Sequence, residues 1–149
     1  MKKSDESITR VTVQAMSDEN IEIMRRANEA FIEGGFDSER FLAFLDPSFV
    51  FEEPPEQPAP RVARGREAAV KMYSQFEETW EEHRSEAEEI RALDDERVLT
   101  LSIEHFRGRD GIEVHQPCAT IHTLRGGKIV RMQSFWERAN ALKAAGLSQ

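Results

Sequence analysis

The amino-acid sequence predicts an α+β fold in which helices lie on one face of a curved, mainly antiparallel sheet. Helical patterns are concentrated in the first half of the chain, whereas the second half contains β-rich segments separated by turns. A glycine pair, Gly126-Gly127, lies between two segments rich in β-branched and aromatic residues and indicates a hairpin. Helices that precede such a run of strands form a separate layer on the sheet.

The size and charge of the chain limit its class. Its 149 residues fit one domain that can bury a core and still hold a ligand cavity. A net charge of −8 repels phosphate backbones and anionic lipids, so neither nucleic acid nor a membrane is an expected partner. Neither a signal peptide nor a membrane span is apparent, and the single cysteine, Cys118, fits a reducing compartment, so we expect a cytoplasmic protein.

The N-terminal region is expected to consist of an arm followed by a helix. Residues 1–16 lack helix caps and a clear period, which predicts a loose arm, and residues 17–149 are expected to form a single domain. Ser17 is a typical N-cap, and Gly34-Gly35 would end the helix. Asn28 lies within the apolar stripe of this helix, so its amide is expected to point inward.

Two further helices are predicted in the first half of the chain. Asp37 or Ser38 caps a short second helix, which Asp46-Pro47 is expected to end. A third helix begins after Gly65, and its apolar stripe includes Tyr73 and is expected to pack on the sheet.

A strand and a loop lie between the second and third helices. The strand is predicted from Ser48 to Glu53, and side-chain alternation places Glu53 on the same side as Phe49 and Phe51. Since those aromatic side chains are expected to be buried, the carboxylate of Glu53 is expected to face the interior. The segment 54–65 contains four prolines, which predicts a loop that crosses the surface or covers a cavity mouth.

The hairpin at Gly126-Gly127 has two registers. A two-residue turn would place Arg125 opposite Lys128, whereas a three-residue loop with a left-handed bulge would place Leu124 opposite Lys128, and one residue of slip reverses every side chain. In the bulged register, one face is half polar and half apolar and suits a binding cavity. That face carries Gln116, Cys118, Thr120, His122, Val130, Met132, Ser134 and Trp136, and the opposite face carries Ala119, Ile121, Arg131, Gln133 and Phe135.

Several short strings resemble the SnoaL-like branch of the nuclear transport factor 2-like superfamily over roughly residues 18–147. These strings are Asn20–Gly35, Leu45-Asp46-Pro47, Gly65-Arg66-Glu67, Thr123–Lys128 and Trp136. The resemblance implies three N-terminal helices on a strongly curved sheet that encloses a conical cavity (a cystatin-like fold), commonly as a homodimer, and the bulged register. It does not imply one activity, because the fold carries isomerases, cyclases, dehydratases and non-enzymatic modules.

Two strings, Gln116–Ala119 and Met132–Trp136, are also similar to ketosteroid isomerases. By that resemblance, Glu53 matches the carboxylate that shuttles a proton. Asn28 and Thr120 stand where the family has a tyrosine and a protonated aspartic acid that polarise the substrate oxygen, and both are weaker donors.

The resulting hypothesis makes Glu53 the candidate catalytic base. The expected ligand-binding residues are Asn28, Tyr73, Cys118, Thr120, His122, Met132 and Trp136. Each residue also has a structural alternative: Glu53 could pair with Arg61 or Arg64 at the surface, and the other polar side chains could be satisfied within the core. No cofactor is expected. No metal site is expected either, because the four histidines lack the spacing of a metal-binding pair; they are His83, His105, His115 and His122.

The sequence leaves two function classes open. One is an isomerase-type or cyclase-type enzyme that moves a proton on a small apolar ligand bearing a carbonyl group. The other is a ligand-binding or dimerisation module without chemistry. In both, the partner is a small hydrophobic molecule with a polar group, and a homodimer is expected through the convex sheet face around Ala119, Ile121 and Phe135.

Overall fold

The computed structural model describes the backbone of residues 2–147 and the side chains of residues 13–147. The helices are α1 (Lys2–Gly34), α2 (Glu39–Leu42), α3 (Arg66–Glu77) and α4 (Arg138–Ala144). The strands are β1 (Leu45–Glu52), β2 (Val62–Arg64), β3 (Glu82–Ala92), β4 (Arg97–Arg107), β5 (Glu113–Arg125) and β6 (Lys128–Phe135). They form one six-stranded sheet in the order β2-β1-β6-β5-β4-β3, antiparallel except where β1 pairs with β6. The predicted α+β class is confirmed.

The first helix corrects the prediction at its N-terminal end. Residues 2–16, expected as a loose arm, are part of α1, and Ser17 lies inside the helix and does not cap it; Met1 lies outside the described residues. The segment from Lys2 to Glu33 contains no proline or glycine, so its backbone has no helix breaker. The Ser17 side chain therefore has a role other than capping the helix.

Ser17 and Asn20 attach α1 to the edge of the sheet. Both side chains are buried, and they donate hydrogen bonds to the backbone oxygens of Asp94 (3.2 Å) and Asp95 (2.9 Å) in the turn between β3 and β4. Burial continues along the same helix face at Ile23, Met24 and other residues with helical spacing. This contact holds α1 across the concave face of the sheet.

The segment between α2 and α3 contains more β-structure than expected. Ser38 caps α2 by accepting a hydrogen bond from the backbone N–H of Phe41 at 3.2 Å. Asp46-Pro47, expected to end this helix, lies instead inside β1, because α2 already ends at Leu42. The predicted proline-rich loop is interrupted by β2, which pairs with β1 and follows the last of the four prolines, so the prolines do not remove its ladder hydrogen bonds.

The hairpin between β5 and β6 combines features of both predicted registers. Gly126 and Gly127 have φ values of 57° and 77° and form a two-residue turn that places Arg125 opposite Lys128, so the predicted three-residue loop is wrong. A bulge at Val130 then shifts the ladder by one residue, because Leu124 pairs with Ile129 but Thr123 pairs with Arg131. The bulge restores the predicted sidedness of the hairpin beyond it.

The convex face of the sheet is covered by α4. Ala119, Ile121 and Phe135 are 0%, 1% and 6% exposed and pack with Ala141 and Ala145 in a second core cluster. The expectation that these residues form an exposed apolar patch is therefore wrong, since the C-terminal helix of the same chain buries them. No helix among the described residues has the length and apolar content needed to cross a membrane.

Candidate functional site

A cavity lies between the concave face of the sheet and helices α1 and α3. It contains about 1070 Å³ of atom-free space, a volume that includes the open mouth and the solvent within it. Aromatic side chains from the helices and β1 form its apolar part, while inward-facing residues of β4 and β5 form its polar part. All the residues predicted for the site line this cavity. They are Asn28, Glu53, Tyr73, Cys118, Thr120, His122, Met132 and Trp136.

The sheet register places the polar side chains in rows across the strands. Thr100 of β4 is opposite Thr120 of β5, which is opposite Ser134 of β6. Glu53 continues this row, because Glu52 pairs with Gln133, the residue directly before Ser134 in β6. In the next row, His122 is opposite Met132. The sequence pattern therefore brings a carboxylate and several hydroxyl groups together on one wall.

Glu53 is turned inward but is paired with Arg61. Its side chain is 8% exposed, and its Oε1 accepts hydrogen bonds from the backbone N–H and Nε of Arg61 at 2.8 and 3.0 Å. Its Oε2 accepts from Nη2 of Arg61 at 3.1 Å. A carboxylate has about four acceptor positions, so one position on Oε2 remains among the described contacts. Both sequence-based alternatives for Glu53 thus apply: it lines the cavity, and it forms an ion pair with the next loop.

His122 and Thr100 have buried polar atoms that lack a partner. Neither Nδ1 of His122 nor Oγ1 of Thr100 forms a hydrogen bond with any described residue. Burial lowers the pKa of His122 to about 4, so its imidazole is neutral at pH 7. Both atoms belong to side chains that line the cavity. The polar wall therefore contains, on two adjacent strands, polar atoms that are covered by their neighbours and have no hydrogen-bond partner among the described residues.

The sequence did not indicate a second polar group on the cavity wall, formed by His83 and Glu104, with Glu77 bonded to His83 from outside the cavity. The Nε2 of His83 lies 2.7 Å from Oε1 of Glu104, and its Nδ1 contacts Oε1 of Glu77. Ser85 and Ser102 each donate a hydrogen bond of 2.8 Å to Oε2 of Glu104. His83 is the second residue of β3, which begins at Glu82.

The charge state of this group follows from its hydrogen bonds. Burial alone would lower the pKa of His83, but its bonds to Glu104 and Glu77 outweigh burial and raise the pKa to about 9. Burial alone would raise the pKa of Glu104, but bonds from His83, Ser102 and Ser85 lower it. His83 and Glu104 are therefore both charged at pH 7. Only the alternation of β4, which turns Glu104 to the same side as Thr100, could have indicated this group in the sequence.

The remaining predicted residues give the cavity its shape. Tyr73 stacks on Phe36 with ring centroids 4.6 Å apart, and burial raises the pKa of its phenol. Burial, with a smaller contribution from the nearby negative charge of Glu104, also raises the pKa of the Cys118 thiol to about 12. A thiol in that state is a poor nucleophile. Cys118 therefore contributes surface and not a reactive group.

Glu56 attaches the loop at the cavity mouth to the segment between β6 and α4. Its Oε1 accepts a hydrogen bond from the backbone N–H of Trp136 at 3.1 Å. Its Oε2 accepts from the backbone N–H of Glu137 at 3.1 Å and from Nδ2 of Asn140 at 2.9 Å. Burial alone would raise the pKa of Glu56, but these hydrogen bonds lower it. The loop is thereby joined to the beginning of α4.

The described residues contain no group of three or more His, Cys, Asp or Glu side chains placed to hold a metal ion. His105 and His115 contact each other on the convex face, with their Nδ1 atoms 2.6 Å apart. This pair lies on the opposite side of the sheet from the cavity, because His105 alternates with the inward-facing Glu104.

Comparisons with known proteins agree on the fold. A family model described as a SnoaL-like domain matches residues 24–132. An NTF2-like protein of unknown function from Burkholderia pseudomallei K96243 superposes with a TM-score of 0.70 at 16% identity, covering 84% of this chain and 95% of that one. TerC, crystallised with polyporic acid, has a TM-score of 0.70 at 15% identity, with coverage of 86% and 98%.

A third solved structure comes from Jannaschia sp. CCS1 and is provisionally described as a SnoaL-like polyketide cyclase. It has a TM-score of 0.66 at 17% identity and covers 90% of this chain and 96% of that one. No curated protein matches the chain. At these identities, the solved structures establish a shared fold and not a shared activity.

Proposed function

The chain belongs to the SnoaL-like domain family, and from this premise we propose that its cavity binds a small, largely apolar molecule with a carbonyl oxygen and transfers a proton on it. The matched family model spans most of the chain. One similar structure was crystallised with polyporic acid, and another is described as a polyketide cyclase. Both relatives support a small molecule as the partner of this cavity.

The observation that carries the proposal is the pair of unpartnered atoms, Nδ1 of His122 and Oγ1 of Thr100, inside a mostly aromatic cavity. A buried polar group without a hydrogen bond costs about 1–3 kcal/mol. Both atoms are covered by their neighbours, so a ligand oxygen would reach them after a local side-chain rotation, and the new bond would remove this cost and fix the ligand's orientation. Because His122 is neutral, its imidazole can polarise a carbonyl without a full charge.

Glu53 is the proposed general base. Its carboxylate lines the same cavity, lies in the row of Thr120 and Ser134, and keeps one acceptor position on Oε2. Thr120, His122, Asn28 and Tyr73 are the proposed polar contacts to the ligand oxygen. The apolar contacts are assigned to Met132, Trp136 and Cys118.

A ligand-binding module without chemistry is the second candidate, and the Arg61 contact favours it. Arg61 holds both oxygens of Glu53, and its side chain is 50% exposed, so the pair resembles a structural ion pair at the cavity rim. In such a module, the cavity would bind the same ligand class, but Glu53 would only order the loop that carries Arg61.

A homodimer and a cytoplasmic location remain predictions. Since α4 covers Ala119, Ile121 and Phe135, a dimer interface would have to use other parts of the convex face, such as Leu101 of β4 and its neighbours. Light scattering at micromolar concentration tests the dimer: a monomer mass would reject it.

Ligand binding is tested by native mass spectrometry of the freshly purified protein, followed by titration with β-tetralone, a small bicyclic ketone. We expect a co-purified small molecule or, after its removal, saturable binding of β-tetralone. His122→Leu should weaken β-tetralone binding roughly 10-fold through loss of one hydrogen bond, whereas His105→Leu on the convex face should leave it unchanged. Absence of any binding to the cavity would reject the proposal.

A further inference from the structure

The cavity has a second polar end that the proposed carbonyl contact does not use. Thr100 and Glu104 both face inward from β4, and strand geometry separates residues four apart by about 13 Å. His83 and Glu104 therefore lie at one end of the cavity, and His122 and Thr100 lie at the other. Between these ends, the lining is largely aromatic, with Phe31, Phe36 and Phe76 among its members.

Glu104 retains a free acceptor position at this second end. Its Oε2 accepts hydrogen bonds from Ser85 and Ser102, and its Oε1 accepts one from His83. Of about four acceptor positions on a carboxylate, one on Oε1 is unused among the described residues. The Glu104 side chain is 15% exposed and lines the cavity, so a ligand group inside the cavity can reach it.

The surroundings of Glu104 hold it in the charged form and in one orientation. His83 lies between Glu104 in the cavity and Glu77 in a separate surface cleft, and it lines both spaces. The ring of His83 also stacks on Phe106 at a centroid distance of 4.6 Å. A charged acceptor with fixed neighbours, next to an apolar wall, favours a ligand that donates a hydrogen bond there.

We propose that Glu104 is a specificity-determining residue that selects ligands with a hydroxyl group at the end opposite their carbonyl oxygen, and that His83 positions it. Subtracting two hydrogen bonds of about 2.8 Å from the separation of about 13 Å between the Thr100 and Glu104 positions leaves about 7 Å between the two ligand oxygens. Two fused six-membered rings with oxygens at opposite ends span this distance. This inference rests on the proposed function, since it assumes that the carbonyl binds near His122.

The test uses three probes: β-tetralone, its derivative with a hydroxyl on the aromatic carbon farthest from the carbonyl, and the methyl ether of that derivative. Dissociation constants are measured by calorimetry for the unmodified protein and for Glu104→Gln. A hydrogen bond to a charged acceptor should make the hydroxyl probe bind roughly 10- to 100-fold more tightly than the ether. In Glu104→Gln, this advantage of the hydroxyl probe over the ether should fall about 10-fold.

Equal affinity for the hydroxyl probe and the ether, or an advantage that survives in Glu104→Gln, would overturn the inference while leaving the proposed function intact. If β-tetralone itself does not bind, the proposed function fails and the inference fails with it. Should Glu104→Gln not fold, the unmodified protein still decides the matter with an isomer whose hydroxyl lies beside the carbonyl. We expect that isomer to bind like the ether, and tighter binding would contradict the assignment.

Discussion

Two histidines line the same cavity in opposite states. His83 is bonded through both ring nitrogens to carboxylates, and its pKa is raised to about 9. His122 has a ring nitrogen without a partner, and burial lowers its pKa to about 4. The two residues lie at opposite ends of the polar wall, so the cavity presents a charged group at one end and a neutral imidazole at the other.

The difference shows that burial alone does not determine the state of a cavity histidine. Both side chains are largely removed from solvent, and desolvation opposes the charged form in both. The carboxylates of Glu77 and Glu104 reverse that effect at His83, whereas burial is the cause of the shift at His122 among the described residues. A fully satisfied group of this kind contributes to stability, while an unsatisfied one is available to a ligand.

The largest expected effect is a loss of stability when the positive charge of His83 is removed. His83→Leu leaves Glu104 buried without its positive partner, which should lower the free energy of unfolding by about 3–5 kcal/mol. Urea denaturation measures this change. The matched control is His105→Leu, on the convex face beside Glu86, for which we expect a loss below about 1 kcal/mol. Similar losses in the two variants would remove the distinction between His83 and an ordinary surface histidine.

The pH dependence of unfolding should show the raised pKa of His83. Its folded pKa of about 9 lies above the unfolded value of 6.5, so its stabilisation is fully present below pH 6.5 and is lost as the pH rises through 9. Comparing the unmodified protein with His83→Leu between pH 6.5 and 9.5 separates this effect from the Cys118 thiol, which is common to both. The stability difference should shrink with rising pH, and a constant difference would contradict a charged His83.

The smallest expected effect is at the neutral end. His122→Leu removes a buried atom without a partner, so the ligand-free protein should be unchanged or up to about 1 kcal/mol more stable at pH 7. Because the pKa of His122 is lowered, the unmodified protein should lose stability as the pH falls from 6.5 to 4, and the variant should lose less. Thr100→Val is the matched control without a titrating group. A loss of several kcal/mol in His122→Leu would show that His122 has a structural partner.

Much of the cavity could be predicted from local patterns. The alternation in β1 turned Glu53 inward with Phe49 and Phe51, and the alternation in β5 placed Cys118, Thr120 and His122 on one face. These positions depend on the two-residue period of a strand, which is visible in the sequence. The helical stripe likewise placed Asn28 and Tyr73 at the cavity.

The remaining features depend on contacts between distant parts of the chain. The two-residue turn at Gly126-Gly127 would by itself turn the opposite set of β6 side chains toward the cavity. The bulge at Val130 shifts the pairing by one residue and corrects this, and no local pattern in the sequence marks it. His83 reaches the cavity only because β3 extends to Glu82 along β4. The burial of Ile121 depends on where α4 packs, which the amphipathic pattern of a short helix does not specify.

The proton-transfer claim is tested most directly by hydrogen–deuterium exchange next to the carbonyl of β-tetralone, followed by proton NMR in mildly acidic D₂O. The unmodified protein should accelerate the exchange, and Glu53→Gln should reduce the acceleration roughly 10²-fold while leaving β-tetralone affinity nearly unchanged. Glu52→Gln, which changes the neighbouring carboxylate paired with Arg131, should exchange like the unmodified protein. Arg61→Gln, which keeps the carboxylate of Glu53, should retain activity. Equal exchange rates for the unmodified protein and Glu53→Gln would contradict the account and favour the ligand-binding module.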